Sequence, residues 1–215
     1  MPAPAQPKIY HIVHVDNLAS IAGDGALMSD AAMRARGGPP QYIGMQNIKD
    51  ARLHKPMDCH PGTNVGEYVP FNFCPRSVML NILWYANSAN LSYRGGQEPI
   101  VHLEADLGTV IEWATQNGRR WAFSLSNARA AYAQFRNRTD QLGELNWDAI
   151  ASRDFRTADV KEAKQSEFLL ELSFPWHLVE RIGVFNQAVA QRASDALPLA
   201  GYRPAIEVVR QWYYP

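Results

Sequence analysis

Apolar and polar positions alternate with a period of two in KIYHIVHV, residues 8–15, and shift to a helical spacing in NLASIAG directly after it. The switch predicts a first strand followed by a short helix, with Asp16 as N-cap and Gly23 as the stop. The next stretch, RARGGPPQYIGMQNIKDARLHKPMDCHPGTNVGEY, holds one helical turn around NIKDAR and is long for a connector. Long ordered loops often carry function. YVPFNF then reads as a short strand. PRSVMLNILWYANSAN reads as a central buried helix, with Pro75 in its early turn and Val78, Leu80, Ile82, Leu83 and Tyr85 forming a broad apolar face.

Further along, PIVHLEADL is a strand running into the helix LGTVIEWATQNG, capped by Asp106 and ended by Gly118. RWAFSLS follows as a strand and NARAAYAQFRNR as a helix. After an irregular polar segment from Thr139 to Val160 come the strands SEFLLEL, RIGVFN and AIEVVRQWYY, with short helices PWHLV and QAVAQRASDAL between them. The expectation is an α+β fold with a largely antiparallel sheet in a single domain over residues 8–215, after a disordered lead-in over 1–7.

Composition narrows this picture. A chain of 215 residues, 47% hydrophobic and 20% charged, supports one sizeable core. No apolar run approaches the ~20 residues that span a bilayer, and the opening MPAPAQPK lacks the apolar stretch of a signal peptide, so the expected location is cytoplasmic, with no membrane partner. Cys59 and Cys74 are expected to be free thiols. Lys plus Arg equals Asp plus Glu at 21 each, so no global field draws in nucleic acid. The balance breaks locally. Residues 98–112 carry Glu98, Glu104, Asp106 and Glu112 without a Lys or Arg, whereas residues 119–138 carry five Arg without an acid.

Candidate chemistry is sparse. GDGALMSD lacks the third glycine of a dinucleotide fingerprint, and neither a P-loop nor a G-x-S-x-G elbow is present. His54, Cys59, His60 and Cys74 are soft ligands at poor spacing, so no metal is expected. His11 lies on the first strand, where a lone histidine is more often structural; the alternative is a donor to a ligand such as a ribose hydroxyl, and both remain open. Glu167 shares a strand face with Gln165, Leu169 and Glu171. Pattern alone favours a solvated face for both glutamates. A lone carboxylate would suit cleavage of the N-glycosidic bond of NAD. Nicotinamide leaves neutral and needs no general acid, while a carboxylate can hold the 2′-hydroxyl and stabilise an oxocarbenium-like ribose. Glycosidases need a pair because their leaving oxygen must be protonated.

The segments IYHIVHVDNLASI, IKDARLHK, CHPGTNVGEYVPFNFCPRSVML, YRGGQEPIVHLEADL, RWAFSLSNA and KQSEFLLE resemble the DarT family of DNA ADP-ribosyltransferase toxins, nearly end to end. The resemblance implies the ADP-ribosyltransferase fold, with split β-sheets holding NAD in a cleft. It implies transfer of ADP-ribose from NAD to a base, typically thymine, in single-stranded DNA, and a DarG-type antitoxin partner whose macrodomain removes the mark. Glu167 matches the family's catalytic glutamate, and Arg52 an arginine beside NAD and the base. His11 and Asn17 fall where the first strand and helix contact NAD; Tyr42, Phe71 and Phe73 would wall the nicotinamide pocket. The segment from Thr139 to Lys164 takes the place of a substrate-recognition loop. Arg76, Arg119, Arg120 and Arg153 are candidate DNA contacts, alongside aromatic rings that stack unpaired bases. Arg52 is expected to act electrostatically, since guanidinium is a poor proton acceptor. The competing readings are an NAD glycohydrolase or protein-directed transferase on the same fold, and a nucleic-acid-binding module without chemistry.

Overall fold

The computed structural model describes residues 2–85, 91–153 and 157–215. The chain runs β1 (Lys8–His14), α1 (Leu18–Asp24), β2 (Ala26–Met28), α2 (Asp30–Ala35), α3 (Gln46–Leu53), β3 (Tyr68–Asn72) and α4 (Val78–Tyr85). It continues through β4 (Ile100–Asp106), α5 (Leu107–Gln116), β5 (Trp121–Ser124), β6 (Phe135–Arg136), α6 (Trp147–Ala151) and α7 (Ala158–Ala163). β7 (Glu167–Glu171), β8 (Ser173–Pro175), β9 (Arg181–Val184), α8 (Gln187–Ala196) and β10 (Ala205–Val208) complete it.

One eight-stranded sheet has the order β10-β9-β4-β1-β3-β7-β5-β6, and β2 with β8 forms a separate two-stranded sheet. Every pair is antiparallel except β9 with β10. The large sheet is nearly divided. β1 pairs with β4 from Lys8 to His14 but with β3 only at Tyr10 and Asn72. Beyond that pair the two halves part, and the opening between them is the floor of the main cleft.

Local chemistry explains the element ends. Asp106 caps α5 as expected, accepting from the Thr109 amide at 2.9 Å. α1 differs: Asp16 lies in a 3-10 turn over Val15–Asn17 and pairs with Arg192, and the left-handed residue that ends the helix is Gly25 rather than Gly23. NARAAYAQFRNR is not a helix. The Asn127 side chain accepts from the Arg129 amide, turning the chain locally, and only Phe135–Arg136 pairs, with β5. The segment expected to be irregular from Thr139 to Val160 holds a 3-10 turn over Thr139–Glu144 and α6, which bring Trp147 and Ile150 into the core, and the first residues of α7; its residues 154–156 lie outside the described residues. The end of the helix expected over residues 75–90 falls at 86–90, outside the described residues. The C-terminal strand stops at Val208, and Tyr213 instead donates to the carbonyls of Ile100 and Gly183.

The main core lies between the sheet and α1, α5, α6 and α8, around Leu18, Val110, Ile150 and Val189. In the lead-in, Ala3 packs on this core and the Pro7 carbonyl accepts from Leu107 N. A second cluster joins α4 to the C-terminal aromatics. A third, built from Met57, Val65, Tyr68, Ala122, Phe135 and Leu169, covers the other face of β3, β5 and β7. Among the described residues no helix is long and apolar enough to cross a membrane.

Candidate active site

A cleft of about 310 Å³ opens where β1 and β3 separate. His11 to Val13 of β1, Pro70 and Asn72 of β3, and Glu167 of β7 form its floor; α3 and α4 form walls. Glu167 is the first residue of β7, opposite Asn72. Its backbone amide donates to Ser124 Oγ at 3.0 Å, and that hydroxyl donates to the Ser126 carbonyl. The start of the strand is therefore held by a buried side chain as well as by the ladder.

Arg52 reaches Glu167 from α3. Its Nη1 donates to Glu167 Oε2 at 2.7 Å, a separation of 115 residues in sequence. It stands in the last turn of its helix, where a cation complements the dipole. α3 is seated by Gly66. A Cβ there would lie 2.9 Å from the Leu53 backbone nitrogen, so only glycine allows this approach. Arg52 is 5% exposed, and its Nε and Nη2 have no hydrogen-bond partner among the described residues. Burial alone would lower its pKa, but the Glu167 and Asp30 carboxylates outweigh that and raise it. Arg52 is thus a fixed cation at the cleft, suited to stabilising negative charge and unsuited to taking a proton.

His11 Nδ1 lies 2.6 Å from the Pro70 carbonyl, so Nδ1 carries the proton. Burial lowers the pKa of the ring. A neutral ring with Nδ1 protonated leaves Nε2 as an acceptor, the reverse of the donor role considered as the alternative to a structural histidine. Asn17 lines the cleft, but its amide is engaged with both backbone groups of Gln41, at 2.8 Å each. It clamps the loop that carries Tyr42. The Tyr42 ring lines the cleft at 36% exposure, with Lys49 Nζ 5.1 Å from its centroid.

Phe71 and Phe73 are not walls of the cleft. Phe71 is fully buried against Phe174 at 4.4 Å, and Phe73 packs on Phe123 and Trp147 in the core. Alternation along β3 turns Pro70 and Asn72 to the cleft instead. Nor does any of the four candidate DNA arginines line it. Arg119 and Arg120 precede β5 beside Glu171, the far end of β7, and Arg76 and Arg153 line a separate cavity with the lead-in. Asn127, Gln165 and Lys49 were missed by sequence reasoning yet line the cleft; Asn127 donates to Gln165 at 2.8 Å, two residues before Glu167. RWAFSLSNA carried Asn127 among the family-like segments, and IKDAR carried Lys49.

Among the described residues no three His, Cys, Asp or Glu side chains gather as metal ligands. His60 Nε2 contacts the Trp121 carbonyl, and Cys74 lies in the core near Lys164.

A family model described as ssDNA thymidine ADP-ribosyltransferase, DarT, matches residues 10–214. The chain belongs to the DarT family. A DNA ADP-ribosyl transferase of Thermus sp. strain 2.9 is 34% identical over 216 residues, covering 98% of each chain. Among solved DarT structures, that of Thermus sp. 2.9 in complex with ADP-ribosylated ssDNA superposes with a TM-score of 0.86 at 32% identity, covering all of both chains. The same DarT in complex with NAD+ gives 0.82 at 31% identity, over 98% of this chain and 99% of that one. The split sheet and its cleft are therefore those of a DarT ADP-ribosyltransferase.

Proposed function

We propose that Glu167 and Arg52 carry out the reaction of this NAD-dependent DNA ADP-ribosyltransferase, moving ADP-ribose from NAD to a thymine base of single-stranded DNA. The observation that carries the reading is the Arg52–Glu167 contact at the parting of the sheet. Bound NAD supplies a ribose whose bond to nicotinamide breaks without acid assistance. Glu167 holds the 2′-hydroxyl and stabilises the positive charge that develops at C1′. The base ring nitrogen bonds C1′ as nicotinamide departs and releases its proton to solvent water; Arg52 stabilises the negative charge on the base in that step and does not accept the proton. His11 Nε2 accepts from a ribose hydroxyl. Tyr42, on the loop clamped by Asn17, offers its ring to nicotinamide. The bond broken is glycosidic, so the transfer is of a pentosyl group and not of a nucleotidyl group at phosphorus.

Unpaired DNA suits an exposed cleft because no base has to be unstacked from a duplex. In the family context, the chain acts as a toxin in the cytoplasm, held in check by a DarG-type macrodomain antitoxin. The test is incubation with NAD and single-stranded oligonucleotides of varied sequence, followed by mass spectrometry. An adduct of one ADP-ribose on thymine is expected. Nicotinamide release with no adduct on any oligonucleotide would instead mark a glycohydrolase.

A further inference from the structure

Arg52 has a second carboxylate beside it. Asp30 Oδ2 lies 3.7 Å from Arg52 Nε, while Asp30 Oδ1 lies 2.8 Å from Lys49 Nζ. Lys49 and Arg52 are three apart on α3 and so share a face of that helix. One carboxylate from α2 therefore bridges two cations of α3, and all three residues line the cleft with Glu167.

An acid at the start of a helix is ordinarily explained by the dipole and by capping. Here the cap is made by Ser29, whose Oγ accepts from Ala32 N at 3.3 Å. The oxygens of Asp30 instead face another helix. Its backbone position is fixed independently, because the Ser29 amide donates to the Leu172 carbonyl at 2.9 Å, tying the start of α2 to the end of β7.

We infer that Asp30 is a positioning residue for Arg52, holding the guanidinium against the base when Glu167 turns to the ribose. This rests on the roles of Arg52 and Glu167 given above. The reason is electrostatic. Glu167 has two tasks, and a carboxylate serving the ribose gives up part of its hold on Arg52. A guanidinium at 5% exposure with no counter-ion is strongly disfavoured. Without Asp30, Arg52 keeps Glu167 to itself or moves away from the base. With Asp30, Arg52 retains an anion on its Nε side while Nη1, the atom that meets Glu167, is left for the base. Lys49 balances the remaining charge, giving two cations and two carboxylates in the cluster.

The consequence is selective. Arg52 serves the base and Glu167 the glycosidic bond, so loss of Asp30 should harm transfer to DNA more than transfer to water. Wild type, Asp30→Asn, Asp30→Glu and Arg52→Lys are incubated with NAD and a modified oligonucleotide sequence, and ADP-ribosyl-DNA and free ADP-ribose are quantified in the same reaction. Their ratio does not depend on the fraction of folded enzyme. Asp30→Asn is expected to lower the ratio by roughly tenfold, with KM for NAD within about twofold, and Asp30→Glu to restore most of it. An unchanged ratio in Asp30→Asn, with both products falling in parallel, overturns the inference. If Arg52→Lys also leaves the ratio unchanged, the role given to Arg52 falls with it; if Arg52→Lys lowers it, only the inference about Asp30 is lost.

Discussion

The two ends of β7 carry the same side chain on the same face of the same strand, and each glutamate pairs with an arginine. Glu167 pairs with Arg52 at 2.7 Å, and Glu171 with Arg120 at 3.4 Å. The ends differ in the cation and in what surrounds it. Arg52 is 6% exposed at the side chain and lies at the cleft; Arg120 is 47% exposed, and its backbone amide also donates to Glu171. Glu171 therefore closes a strand end, its oxygens shared between one residue's backbone and side chain. Glu167 faces open volume. Position along an extended strand separates them by about 13 Å at ~3.3 Å per residue, too far to serve one reacting centre. A carboxylate becomes available for chemistry when its strand begins at a gap in the sheet, and not merely by being half-buried beside an arginine.

The sharpest way to break this contrast is Glu167→Gln. Transfer should fall on the order of 10²–10³-fold or more, as for other preorganised electrostatic groups, while NAD binding measured by calorimetry persists. A loss confined to NAD affinity would refute the assignment.

Acid should weaken the sheet on the β1–β4 side of the gap. Burial lowers the pKa of His102, on β4, to about 4, and also lowers that of His11 on β1. As pH falls below the ordinary histidine value near 6.5, the unfolded chain takes up protons that the folded chain refuses. Stability is thus complete above about 6.5 and declines toward 4, by about 3 kcal/mol for His102 at ~1.4 kcal/mol per pKa unit. Urea unfolding at pH 7 and 4.5 measures this; equal stability at the two values would contradict it.

Gly66→Ala tests the seating of Arg52. The added methyl meets Leu53 backbone, so α3 must move, with a cost of about 1–3 kcal/mol typical of overpacking. Activity should drop more than the melting shift accounts for, whereas a variant that melts lower but keeps full activity per folded molecule would show that α3 tolerates displacement. The smallest effect belongs to Glu171→Gln. With its partner half-exposed, the ion pair contributes about 0–1 kcal/mol, and transfer should stay near the wild-type rate. A loss comparable to that of Glu167→Gln would erase the distinction between the two ends.

Much of this was legible in the sequence because it is local. The period-two run of β1 and the Asp106 cap of α5 emerge where periodicity and capping place them. NARAAYAQFRNR misled for the same kind of reason: its alanines favour a helix, but Asn127 turns the chain and Phe135 pairs with β5, and tertiary contacts outweighed propensity. The wet face predicted for β7 failed in its middle. Leu169 is fully buried under loops from residues 57–65 and 128–135 that no pattern within the strand can announce.

The sequence by itself placed β1 and the start of α5, indicated an α+β fold, and, through family resemblance, pointed to Glu167 and Arg52 as candidates. Tertiary structure alone decided that these two meet across 115 residues, that Phe71 and Phe73 turn to the core, that His11 presents an acceptor, and that Asp30 stands behind Arg52. Those outcomes depend on where β1 leaves β3 and how closely α3 approaches Gly66. Such long-range packing is set by the whole fold, whereas propensity and periodicity act within a single element.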